Sequence, residues 1–116
     1  MNKLPFLGLA IMLLGSCSKS DLQTYDCQDT LITYTDDIAP IMASNCSISG
    51  CHNATAKAHG IDLSSYSSVV SESTRSRFLG AIQHLPGYDA MPEGRAKLDD
   101  SDIQTISCWI EGGKAE

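Results

Sequence analysis

No run of apolar residues in this 116-residue chain is long enough to cross a bilayer as a helix. The longest, residues 4–14, is interrupted by Pro5 and Gly8 and falls well short of the ~20 residues such a span needs. Period-two alternation is missing as well, so sheet is not expected. There is no internal repeat and no low-complexity tract. Aromatics are sparse, at one Trp, four Tyr and two Phe. A domain near this size buries well under three-quarters of its unfolded surface, so a core built on so few rings is thin. Cations are scarce too, eight Lys and Arg against fourteen Asp and Glu, for a formal charge of −6. That balance argues against nucleic acid and against electrostatic binding to anionic lipid, and it points any protein partner toward a basic docking face. No Ser/His/Asp arrangement, glycine-rich phosphate loop or spaced carboxylate pair is found, so an enzyme is not expected.

What is present begins with an address. Asn2 and Lys3 precede the apolar run, which ends Leu14-Gly15-Ser16-Cys17. A short positive start, an apolar centre and small residues before the cut form an export signal. The last four residues resemble a bacterial lipobox, with residues 1–16 removed and Cys17 lipidated as the first mature residue. The alternative is an ordinary signal cut near Ser16, with an incidental cysteine. Acyl chains contribute ~0.8 kcal/mol per buried CH₂, enough for a permanent anchor when several are present. Losing residues 1–16 removes Lys3 and no acid, so the mature chain is more acidic still. The expected location is the periplasmic side of a bacterial membrane. Ser18 stands where an aspartate would retain an enteric lipoprotein on the inner membrane, which favours the outer one.

Residues 17–33 are mostly polar and read as the lipidated N-terminus and its tether, leaving residues 34–116 as the domain. A first helix is expected over about 37–45. Asp36 and Asp37 suit its start, Pro40 falls within its first turn, and Ile38, Ile41 and Met42 share a face. Short helices are expected over 65–71 and 75–83, the second with Phe78, Leu79 and Ile82 on its apolar side. The last helix has the strongest signals. Ser101-Asp102-Ile103-Gln104 has the form of a capping box, Asp99, Asp100 and Asp102 favour the dipole, and Gly112-Gly113 stops the helix. Ile103, Ile106 and Ile110 line one face with Trp109 beside it. The expected class is all-α, with three to four short helices.

The first helix leads into Asn45-Cys46-Ser47-Ile48-Ser49-Gly50-Cys51-His52. Two cysteines with a histidine directly after the second resemble the haem-attachment site of c-type cytochromes. Two thioether bonds fix the macrocycle there, and the adjoining imidazole is delivered beneath the iron. Here four residues separate the cysteines instead of the usual two. Ser47, Ser49 and Gly50 are small, so the longer loop has room to bulge outward. The order of helix, attachment site, Met-Pro loop and closing helix resembles small class I cytochromes c over roughly residues 34–113. The segments Ile38-Ala39-Pro40-Ile41, Cys51-His52-Asn53, Gly60-Ile61-Asp62-Leu63 and Ser65-Tyr66 look like a group of exported cytochrome-c-like lipoproteins.

The resemblance implies one covalent haem c, with Cys46 and Cys51 as thioether sites, His52 as proximal ligand and Met91 as distal ligand. It implies helices packed around that haem, and a first helix crossing the closing one near Trp109. It also implies electron exchange with redox partner proteins. Met91 lies between Pro86 and Pro92 in a turn-rich loop, where a thioether can be held still. Met42, one turn before Cys46, is badly placed to reach the opposite face. His84 is the alternative distal ligand, and His59 is expected to be solvated near the proximal side. Cysteine arithmetic leaves Cys27 and Cys108, which an oxidising compartment allows to pair. The alternative leaves them unpaired, or pairs one between chains.

Two other functions compete with electron transfer. One is a haem-free, disulfide-stapled lipoprotein with a binding or structural role, in which Cys46 pairs with Cys51. The other is a zinc or copper site drawn from Cys46, Cys51, His52 and His59, although no second Cys or His pair completes it.

Overall fold

Thr33 turns an extended approach into the first helix. Its hydroxyl accepts from the Asp36 N–H at 3.3 Å, while its own N–H donates to the Asp37 carboxylate at 2.8 Å. This reciprocal cap starts the helical body earlier than the acidic pair suggests. A π-helical turn, Tyr34–Ile38, runs without a break into α1, Ala39–Asn45. Pro40 lies in the first turn of α1, where its missing N–H leaves no ladder bond broken. The computed structural model describes residues 21–28 and 31–116. The signal segment, the lipobox and Cys17 lie outside them.

After α1 the chain makes a long irregular excursion containing one short 3₁₀ turn, Ala58–Gly60. Helix α2, Tyr66–Ser73, follows, capped by Ser65, whose hydroxyl accepts the Ser68 N–H while the Ser68 hydroxyl accepts the Ser65 N–H. The serines that weaken this segment as a helix interior therefore start it well. Helix α3, Ser76–Ile82, comes next, and α4, Asp100–Glu111, closes the body. The described residues contain no strand, and the fold is all-α. None of their helices is long and apolar enough to cross a membrane.

The expected capping box of α4 is not made. Asp99 is the N-cap, and Ser101 lies inside the helix with its carbonyl accepting from the Thr105 hydroxyl. The Ile103 N–H bonds back to Asp99, so the helix begins two residues earlier than the motif indicates. Burial of Leu98, Ile103 and Ile106 on the core side sets that phase. A cap worth about 1 kcal/mol yields to apolar burial of larger total size.

The core gathers Tyr34, Ile38, Met42, Val69, Ile103 and Trp109. Helix α4 packs mainly against the Tyr34–Ile38 turn ahead of α1. The Trp109 and Tyr34 ring centroids lie 6.1 Å apart, and Tyr66 meets Tyr34 edge-on at 5.4 Å. The Trp109 indole N–H donates to the Ala115 carbonyl at 2.8 Å, and Tyr34 N–H donates to that carbonyl at 2.9 Å. One carbonyl thus satisfies two buried donors, which ties the C-terminal tail to the core.

The polar stretch expected to act as a tether is bound to the domain between Gln23 and Cys27. The buried Gln83 amide accepts from the Gln23 N–H at 2.8 Å and donates to the Gln23 carbonyl at 3.1 Å. Gln104 donates to the Asp26 carbonyl, Tyr25 packs against the core, and Cys27 is bonded to Cys108. A composition-based reading sees only polarity here. The binding comes from partners sixty and more positions away.

Candidate functional site

Everything between Cys46 and Leu63 is organised by backbone bonds that fold the chain back on itself. The Cys46 N–H and the Ser47 N–H both donate to the Met42 carbonyl, ending α1 in a tight turn. The Cys46 carbonyl then accepts the His52 N–H at 3.1 Å. That bond closes the loop and keeps both cysteines at one place despite four intervening residues. Ser49 and Gly50 form the exposed apex, while Ile48 turns inward. Gly50 has φ +79°, a left-handed conformation that a side chain strains.

His52 is buried, and its Nδ1 lies 3.3 Å from the Ile61 carbonyl. A carbonyl only accepts, so Nδ1 carries the proton and the Nε2 lone pair is left available. The Leu63 N–H donates to the His52 carbonyl at 2.7 Å, so the same returning strand of chain fixes both backbone and ring. An anchored imidazole of this kind is what a metal-binding histidine needs to hold one tautomer and one orientation. Nothing local in the sequence marks Ile61 for this role. It arrives through a turn in which Asn53 Oδ1 accepts the Thr55 and Ala56 N–H groups.

A cleft of about 410 Å³ opens over this loop. Cys46, Cys51, His52 and Met91 all line it, together with apolar side chains that include Ile61, Leu63, Phe78 and Leu98. The volume falls in the usual range for cofactor sites, and apolar walls with a few polar groups are their usual lining. Tyr88 forms part of the lip, its ring lying flat on Gly80 so closely that a Cβ there would meet it at 2.7 Å. Met42 is fully buried in the core and does not line the cleft. His59 is exposed at the cleft rim. His84 is not among the lining residues, and its Nε2 faces the Met91 carbonyl at 3.0 Å.

Cys46 and Cys51 are not bonded to each other. Burial pushes the Cys46 thiol up from 9.0 to about 11, with Cys51 adding to the rise and Arg95 opposing it. Because the thiolate is the species that attacks disulfides and alkylating agents, a thiol held neutral is slow to oxidise. At pH 8, the thiolate fraction at Cys46 is roughly a hundredfold below that of an ordinary thiol. Alkylation of Cys46, followed by mass spectrometry, is expected to be slower by roughly tenfold, because the more basic thiolate is also the better nucleophile and recovers part of that factor. Reaction at the rate of a small-molecule thiol would contradict the burial argument. Among the described residues, no three His, Cys, Asp or Glu side chains gather as a metal-holding group.

The chain matches no protein-family model, no curated protein and no solved structure.

Proposed function

We propose that this chain is a monohaem c-type cytochrome domain that carries single electrons at a membrane surface. The observation that supports this most directly is the meeting of Cys46, Cys51, His52 and Met91 in one apolar cleft. Met91 stands far along the chain from the other three and joins them only through the fold. The residues present fit the group. Two unpaired thiols and a buried imidazole with a free Nε2 line one cleft, whose walls are mainly apolar with Arg77, Arg95, Glu72, Asp89 and Glu93 among them.

When bound, the haem supplies an iron that alternates between ferric and ferrous, one electron at a time. The chain's own residues do the rest. The Cys46 and Cys51 thiols would hold the macrocycle as thioethers, an addition to its vinyl groups that needs no oxidant or reductant. His52, its Nδ1–H held by the Ile61 carbonyl, would ligate the iron through Nε2, and Met91 would offer it a sulfur. A thioether opposite an imidazole raises the reduction potential relative to two imidazoles. Phe78, Leu63 and Leu98 would give the macrocycle apolar contacts. Arg77 is committed to Glu72 at 3.2 Å, whereas Arg95 makes no ion pair among the described residues. Arg95 is therefore suited to receive a propionate carboxylate.

Lipidation at Cys17 completes the reading. With the chain bound to the domain from Gln23 onward, six residue steps separate the lipid from the docked segment. Extended chain covers at most about 20 Å over that length, which keeps the domain close to the bilayer. Electrons would pass between membrane-side and soluble redox proteins, with a basic partner face matching the acidic surface.

The test is to express residues 18–116 in a periplasm that carries c-haem maturation machinery. Colour that survives acid-acetone extraction is the expected result, and the haemochrome band distinguishes one thioether from two. A colourless protein, from cells that mature a control cytochrome, would leave a disulfide-stapled lipoprotein without haem.

A further inference from the structure

Met91 is held at both of its backbone polar groups by the C-terminal turn of α3. Its N–H donates to the Ala81 carbonyl at 3.0 Å, and its carbonyl faces His84 Nε2 at 3.0 Å. Since the carbonyl accepts, Nε2 bears the proton and its lone pair is not free for a metal. The Ala81 carbonyl also receives the His84 N–H at 3.1 Å, so one helix end binds both residues. His84 has φ +54°, a left-handed conformation uncommon for a residue with a side chain. That conformation lets the ring face back onto the loop. Behind it, Gln83 is buried and doubly bonded to Gln23, so the turn itself is braced.

We infer that His84 is a positioning residue that fixes Met91 as the distal ligand, acting through the Met91 carbonyl and not on iron. This rests on the haem reading above. A thioether is displaced by external imidazole when its loop can swing away, and the His84 bond opposes that swing. Removing it leaves the Met91 carbonyl to water and lets the loop open more often. The strength of one such bond corresponds to roughly a three- to tenfold change in an equilibrium.

The experiment compares ferric holoproteins of the wild type, His84→Ala, His84→Gln, Met91→Ala and Ile103→Val. Each is titrated with imidazole while the weak long-wavelength sulfur-to-iron band is followed. His84→Ala is expected to bind imidazole roughly three- to tenfold more tightly, with a weakened band. His84→Gln, which retains a donor of similar reach, is expected to stay near wild type. Ile103→Val loosens the core elsewhere and is expected to leave imidazole affinity unchanged. If His84→Ala does not accumulate, His84→Leu replaces it in the comparison with His84→Gln, and equal affinities overturn the inference. A wild type that shows the band and loses it in Met91→Ala, while His84→Ala binds imidazole as wild type does, overturns the inference and leaves the haem reading standing. A wild type without the band, whose spectrum changes in His84→Ala and not in Met91→Ala, makes His84 the ligand and also overturns it. Protein without covalent haem overturns the haem reading and this inference together.

Discussion

Replacing Cys46 and Cys51 together with alanine is expected to abolish haem that resists extraction, while the helical fold persists. The two thiols line the cleft, and the main core is assembled from Tyr34, Ile38, Val69, Ile103, Ile106 and Trp109. Cys46 is only half-buried and packs at the edge of that core, so its truncation costs on the order of 1 kcal/mol. The loop keeps its shape because the Cys46 carbonyl and the His52 N–H that close it belong to the backbone. Single replacements are expected to leave one thioether each, distinguishable by the haemochrome band. Far-ultraviolet circular dichroism and acid-acetone extraction on the same preparations check both halves. Covalent haem surviving in the double variant would place the attachment elsewhere and remove the basis for the reading of this loop.

A fall in stability on the order of 4 kcal/mol is expected when Cys27 and Cys108 are both changed to alanine. The bond joins residues 81 positions apart and so closes nearly the whole described chain into a ring. Cross-linking so long a loop removes much of the unfolded chain's freedom, although the division between entropy and enthalpy depends on the model used. Typical domains have only about 5–15 kcal/mol in total, so the variant would be close to marginal. The strap from Gln23 to Cys27 is expected to detach first, because the Gln83 and Gln104 bonds and the packing of one partly buried ring, Tyr25, are what then hold it. Urea denaturation of the two proteins, with hydrogen exchange at the Gln23 amide, measures both effects. A stability difference below about 1 kcal/mol would show that the folded ends meet in the unfolded ensemble without the bond.

Legibility varied with how local each signal was. Helices α2 and α3 were expected within two residues of where they lie, because apolar spacing and short-range breakers define them. The start of the first helix was missed by three residues. The Thr33 cap was readable as a hydroxyl three residues ahead of an acid, but the acidic pair drew attention instead. At α4 the opposite happened, and a well-formed capping motif was overridden by core burial. Met91 and the Cys46–His52 loop were marked by residue type and spacing. The roles of Ile61 and His84 were not, since a backbone carbonyl has no sequence signature and a histidine has several uses.

The chain by itself determined the helical class, the loop that carries two cysteines and a histidine, and the acidic surface. These follow from residue type and from periodicity over a turn or two, which act before any distant contact forms. Tertiary structure decided the rest. It brought Met91 into one cleft with His52, set the Ile61 carbonyl against Nδ1, placed His84 Nε2 against the Met91 carbonyl, and bound residues 23–27 to α4 and the end of α3. Each of these depends on groups far apart in sequence meeting where burial makes an unpaired donor or acceptor costly. Such pairings exist only once the core has closed.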